Sequence, residues 1–492
     1  MKKWSADRDK LIYTHIVLIG IPTIFCYCLR LTGSNLLEWH IAIATVFLLS
    51  SLIIVVESTN ALFLRFAIRD KQMIQGRADR YLQSFKSALG VSGAKRPTPK
   101  CPLPKCSFIV VAYLPNEQEI ILDTLLHILT KVQQPPQGLE LILAYNTPIE
   151  LPIEDELRRL AEFYPALRLL RVENSRSKAE NLNAAIEVVT GDITCILDAD
   201  HQPCPDCFVR AWRWLEKDYD VVQGRNTIRN HSQNMLTEMI AIEFESLYGV
   251  SHAAKSFLSD TSIFGGSNGY WRTSVLKQIR FNPRMLTEDI DASMRTLLSG
   301  YRILHDRSII ATELAPTDLR AFWYQRKRWA QGWLEVSLRY QLRVLGSNKL
   351  NLWQKAYWTY ILLTTASFTI ISLQIFPIGL SSFLYQGWVP AYTNEYLLFG
   401  TAVTLVSGVY QTLVTMKIAF LRYPIHYFIQ YGLLVFFYTL LKNIISVVAL
   451  YDYLHGNNEW VVTPRQGRRT LFFPQRSAAL TSGSSPLSST KP

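Results

Sequence analysis

ILDADHQP, residues 196–203, ends an apolar run on two aspartates. Successive side chains of a strand point to opposite faces, so Asp198 and Asp200, separated by Ala199, leave the strand on one face. Two carboxylates placed together repel unless a cation or a proton lies between them.

Working outward, the run belongs to a series. After the Pro/Lys linker VSGAKRPTPKCPLPKC (91–106) come SFIVVAY (107–113), helical spacing over 117–132 and LELILAY (139–145). A helix from about 154, LRLLRV (167–172), a helix in SKAENLNAAIEVV (177–189) and ITCILDAD (193–200) follow. Continuous apolar runs alternating with helical stretches predict a doubly wound, mostly parallel α/β sheet. Ligands of such sheets bind beyond the carboxyl ends of the strands, where the two aspartates stand.

The chain has 492 residues, 49% of them hydrophobic and 12% aromatic, and the excess collects at 11–56 and 356–451. Residues 11–31 and 41–56 read as two transmembrane helices joined by a short polar turn. A cleaved signal peptide is the competing reading of the first run, but a second span follows at once and no small-residue cleavage site is clear. Lys2, Lys3, Arg8 and Lys10 flank one end, and Arg65, Arg69, Lys71, Arg77 and Arg80 follow the second span. Lysine and arginine gather on the cytoplasmic side, so the region after these spans is expected in the cytosol of a multi-pass protein of the plasma (inner) membrane. The net charge of +12 is then a matter of anionic lipid, and nucleic acid is not an expected partner.

Residues 356–380 and 396–416 read as two further spans. A third apolar run, 424–451, is interrupted by His426, Lys442 and Asn443, and is expected either to lie partly in the interface or to cross twice as short spans. Cys204 and Cys207 form a lone C-x-x-C without the second ligand pair of a zinc site.

Four more stretches carry chemistry: FGGSNGYWR (264–272), a glycine-rich turn; LTEDID (286–291); QRKRWAQGW (325–333); and EWVVTPRQGRR (459–469). With D-x-D (Asp198, Asp200), T-E-D (Thr287, Glu288, Asp289) and Q-x-x-R-W (Gln325, Arg328, Trp329) in this order, the chain resembles the membrane-integrated family-2 glycosyltransferases, the group of cellulose, chitin and hyaluronan synthases. The resemblance covers roughly 105–345 and extends to the flanking spans and Thr463.

It implies inverting transfer from a nucleotide sugar, UDP-glucose or similar, to a growing β-linked polysaccharide, or else of one sugar to a membrane lipid. The departing diphosphate calls for Mg²⁺ or Mn²⁺ on Asp200, with Asp198 on the metal or ribose side, and for cationic help from Arg328 and Lys178. Asp289 would be the base, in a motif with Thr287 and Glu288, although the same acids could serve a helix N-terminus. Gln325, Trp329 and Gly266 would contact the acceptor; Gly265 and Gly266 could equally form a plain tight turn. The tryptophans and cations of 323–333 could alternatively lie at head-group level on an interfacial helix. Asn146 stands where the family has an aspartate that reads the base, which weakens the case for uridine. Thr463 and Arg465 resemble a loop that closes over the nucleotide. Intact acidic motifs speak against a transporter or scaffold with a degenerate domain.

The expected organisation is two spans (1–60), a basic linker (61–104) and a cytosolic catalytic domain (105–320). Amphipathic interfacial helices (321–350), C-terminal membrane and interfacial segments (351–455), a gating-like loop (456–470) and a disordered tail (471–492) follow.

Overall fold

The computed structural model describes residues 2–68, 99–387 and 394–457. Most of the basic linker, Thr463, Arg465 and the tail lie outside the described residues.

One eight-stranded sheet organises the middle of the chain, in the order β3-β2-β1-β4-β7-β6-β8-β5. Strands β1 (Cys106–Tyr113), β2 (Leu139–Asn146), β3 (Leu167–Arg171) and β4 (Ile193–Asp198) form a parallel half. In the mixed half, β7 (Gly269–Arg272) runs antiparallel to both β4 and β6 (Val221–Ile228). Strand β8 (Ile303–Glu313) lies parallel to β6 and antiparallel to β5 (Gln202–Pro203). The sheet is thus of the mostly parallel, doubly wound type that the alternation predicts.

The GYWR half of the glycine-rich stretch is not a turn but the central strand β7, with Tyr270 and Trp271 fully buried. Period-two alternation sends Tyr270 into the core on one face and Trp271 into the core on the other.

Helices cover both faces. Helices α1 (Lys2–His15) and α2 (Ile21–Leu31), joined by a π-helical turn, precede α3 (Leu37–Ile68). Within the sheet domain come α4 (Leu114–Glu117), α5 (Ile121–Lys131), α6 (Ile153–Phe163), α7 (Lys178–Val188) and α8 (Cys207–Leu215). Then follow α9 (Met235–Phe244), α10 (His252–Ser259), α11 (Thr273–Ile279), α12 (Glu288–Leu298) and α13 (Leu319–Gly346). Leu125, Leu157 and Phe208 of α5, α6 and α8 pack on one face of the sheet; Leu182, Leu276, Met294 and Val336 of α7, α11, α12 and α13 pack on the other.

The last described elements are α14 (Leu352–Leu373), α15 (Ile375–Gln386), α16 (Glu395–Ile418) and α17 (Ile425–Leu454). Among the described residues, five helical stretches are long and apolar enough to cross a membrane: Ala6–Leu31, Leu37–Phe63, Leu352–Gln386, Glu395–Ile418 and Ile425–Leu454. The protein is a membrane protein.

The expectation of two short crossings in the last run is wrong, because α17 is a single unbroken helix of 30 residues. Its polar residues do not break it; they are satisfied sideways. Lys442 donates to Glu243 of α9 at 2.8 Å, and Asn443 to Ser372 at 3.3 Å. Both ends of α17 are tied to the sheet domain: Gln430 bonds Glu238 at 3.2 Å, Asp452 pairs with Lys327 at 2.9 Å, and Gln331 donates to the Asn457 carbonyl at 2.9 Å.

Candidate active site

A cavity of about 1180 Å³ opens at the carboxyl ends of β1, β2 and β4, and every predicted site residue within the described chain lines it. Two groups of carboxylates face it from different elements.

The first group ends β4. The Asp198 backbone N–H donates to Ser267 Oγ at 3.1 Å, and its carboxylate lies 2.5 Å from the Lys178 ammonium. Ser177 caps α7 through the Glu180 N–H, which places Lys178 in the first turn, pointing across the site. Lys178 also donates to the Gly266 carbonyl at 2.8 Å and lies 3.7 Å from Glu288. Burial alone would lower its pKa, but Asp198 and Glu288 hold it above the ordinary value.

Asp200 is buried; one oxygen accepts the Leu314 N–H at 3.1 Å and the other faces His201 Nδ1 at 3.1 Å. His201 Nε2 lies 2.7 Å from Glu313. Burial opposes a charged imidazole, yet the carboxylates on both ring nitrogens push its pKa up to about 9.

One ligand atom from each of Asp198, Asp200 and His201 falls within 4.8 Å of the others. Two carboxylates that already gather cationic partners are hard-oxygen donors of the kind a divalent ion such as Mg²⁺ or Mn²⁺ takes, so the residues fit the expected ion.

The second group opens α12. Glu288 and Asp289 line the cavity, whereas Asp291 turns away to Arg295 at 2.8 Å and the Tyr340 hydroxyl at 2.7 Å. Asp291 is thus taken up by structural contacts, leaving Glu288 and Asp289 to face the cavity. Asp289 accepts the Ile290 N–H at 2.9 Å; burial, then the neighbouring Glu288, push its carboxyl up to about 7 against Lys178 and Arg328. Gly266 sits beside it with φ +85°, and a Cβ there would come within 2.7 Å of Asp289 Oδ2. The glycine is thus more than a turn residue: it allows backbone to touch the carboxylate.

Helix α13 brings the Q-x-x-R-W residues to the same cavity. Gln325, Arg328 and Trp329 line it, and Arg328 donates to the Leu286 carbonyl at 3.3 Å, just before Thr287. Gly332 makes this approach feasible, since a Cβ there would meet Thr287 Cγ2 at 2.4 Å. The cations and the first tryptophan of this helix also have partners within the protein. Trp323 is buried and donates to Asp7 at 3.0 Å; Arg326 pairs with Glu243 at 2.5 Å, and Lys327 with Asp7 at 3.1 Å. These cations are held by protein carboxylates rather than left free for lipid phosphates.

The family model for glycosyl transferase family group 2 matches residues 193–454, more than half of the chain. The chain belongs to this family. It is 28% identical over 280 residues to the poly-beta-1,6-N-acetyl-D-glucosamine synthase of Staphylococcus epidermidis, covering 55% of this chain and 66% of that one. Over 238 residues it is 29% identical to the cellulose synthase 1 catalytic subunit (UDP-forming) of Komagataeibacter xylinus, 47% and 31% of the two chains. The match therefore spans just under two thirds of the first relative and about a third of the second. Among solved structures, the mannosyltransferase PcManGT from Pyrobaculum calidifontis in complex with GDP-Man and Mn²⁺ aligns at 18% identity with a TM-score of 0.49, over 84% of this chain and 99% of that one.

In this family-2 member, residues that sequence reasoning passed over complete the site. His201 is adjacent to the D-x-D motif and was legible as a neighbour; Glu313, at the end of β8, lay in no motif. Tyr248 is buried, lines the cavity and stands against Gly265, where a Cβ would lie 3.1 Å from its hydroxyl. Asn146 lines the cavity with its amide engaged on both sides: it donates to the Ser175 carbonyl at 3.0 Å and accepts from Asn181 at 2.8 Å.

Proposed function

We propose that the protein is an inverting glycosyltransferase that extends a β-linked polysaccharide from a nucleotide sugar. The observation that carries this reading is one cavity holding a cation-compensated pair, Asp198 and Asp200, and a half-buried carboxyl at Asp289 whose pKa lies near neutrality.

The donor diphosphate would lie toward Lys178 and Arg328, whose charges stabilise it as it leaves. Asp198 and Asp200 would hold Mg²⁺ or Mn²⁺, which when bound neutralises diphosphate charge. Asp289 takes the proton of the acceptor hydroxyl; the new C–O bond forms at the anomeric carbon as the bond to the diphosphate breaks on the opposite face, which inverts the centre. Trp329 offers an aromatic face to the acceptor sugar, with Gln325 and Gly266 beside it. Asn146 contacts the base side, and Thr463 and Arg465, outside the described residues, are donor contacts on resemblance alone.

The names of the relatives, poly-beta-1,6-N-acetyl-D-glucosamine synthase and cellulose synthase catalytic subunit, favour polymer over single transfer to a lipid. The basic flanks of the first two spans favour a catalytic domain on the cytosolic face of the inner membrane, with α17 lying along the interface between its two attachments.

The test is turnover of a panel of radiolabelled nucleotide sugars by nanodisc-purified protein with Mg²⁺ or Mn²⁺. Label in high-mass, glycosidase-sensitive product is expected. Label confined to the organic extract would replace this reading with glycolipid synthesis.

A further inference from the structure

Arg326 lies inside the QRKRW run but does not line the cavity. Its guanidinium carbon sits 4.4 Å from the centroid of Trp329, 5.1 Å from that of Phe322 and 5.9 Å from that of Phe244. The guanidinium is therefore packed among three rings, two of which, Trp329 and Phe244, border the cavity.

What fixes Arg326 is Glu243, the neighbour of Phe244 on α9. Glu243 accepts from Arg326 Nη2 at 2.5 Å, from the Tyr438 hydroxyl at 2.7 Å and from the Lys442 ammonium at 2.8 Å. Burial would raise the Glu243 carboxyl, but Arg326 and Lys442 bring it down to about 2, so it stays an anion across the working pH range. One carboxylate thus joins α13 to α17.

We propose that Arg326, held by Glu243, is a positioning residue that sets the plane of the Trp329 ring for the acceptor, and that Lys442 extends this constraint to α17. The proposal rests on the reading of Trp329 as an acceptor contact. A planar guanidinium can stack on the indole and bond Glu243 at once, whereas an ammonium cannot do both in the same way. The cavity-lining neighbours Gln325 and Arg328 act on substrate directly; Arg326 acts through the ring.

The full chain in nanodiscs, labelled with 5-fluorotryptophan, tests this. The ¹⁹F resonance of Trp329 is identified by its loss in Trp329→Phe and followed in Arg326→Lys, which keeps the charge opposite Glu243, and in Glu243→Gln. Without any acceptor, both variants should move or broaden that resonance. With cellotetraose, chitotetraose or mannotetraose as primer, matched to the sugar turned over, the primer KM should rise roughly tenfold while the donor KM stays unchanged. Should Glu243→Gln fail to fold, Arg326→Lys alone decides. An unmoved resonance in Arg326→Lys overturns the proposal. A moved resonance with an unchanged primer KM removes the acceptor role of Trp329 instead, and locates the failure in that reading rather than in the packing of Arg326.

Discussion

The two carboxylate groups of the cavity sit in opposite electrostatic settings. Asp198 and Asp200 at the end of β4 are met by cations, Lys178 at 2.5 Å and His201 between Asp200 and Glu313. Asp289, at the start of α12, sits half-buried beside a second acid, Glu288, and Lys178 and Arg328 only partly offset this. A pair of carboxylates offers hard oxygen ligands to a divalent ion. A carboxyl with a pKa near neutrality can take up a proton and release it. The proposed inverting transfer calls for one group of each kind.

The largest expected effect breaks the second group. Asp289→Asn should lower kcat by roughly 10³-fold, within the range for loss of a general base, while nucleotide-sugar binding measured by equilibrium dialysis survives. Asp200→Asn, in the first group, should raise the half-saturating Mn²⁺ concentration and reduce kcat/KM by about 10²-fold, because both of its oxygens are fixed, by Leu314 and His201. If the two variants gave the same phenotype, in metal dependence and donor binding alike, the division of labour would be wrong.

Glu313→Gln sharpens the comparison. Glu313 does not line up with any motif, but it orients His201 and through it Asp200, so its loss should weaken Mn²⁺ binding, read by electron paramagnetic resonance, by about 10-fold or more. A smaller effect is expected from Gly266→Ala. Its φ of +85° and the 2.7 Å approach of a Cβ to Asp289 predict roughly a tenfold loss of kcat with metal binding intact.

How much of this was legible in the sequence follows from which groups are apolar. The parallel half of the sheet could be read directly, since β1, β2 and β4 are buried on both faces and appear as continuous apolar runs. The mixed half could not. Strand β6, VVQGRNTI, is buried throughout although half of it is polar, because Gln223 bonds the Ser267 carbonyl and Asn226 bonds Glu313. Polar strands satisfied by distant loops leave no periodic signal. The same limit hid the continuity of α17, where Lys442 looked like an interruption and is in fact the partner of Glu243, 199 residues away. The catalytic motifs were legible because each is short and local. Their joint geometry, with Lys178 bridging Asp198, Gly266 and Glu288, arises only when α7, β4 and α12 converge.

The pH dependence of kcat/KM, for the wild type and for the residual activity of Asp289→Asn, tests the central claim most directly. A base with a raised pKa is protonated and inactive below that value, so the rate should climb about tenfold per pH unit up to a break near 7 and then level. In Asp289→Asn the break should vanish. A wild-type profile flat through this range, or the same break persisting in the variant, would contradict the assignment of Asp289 as the base.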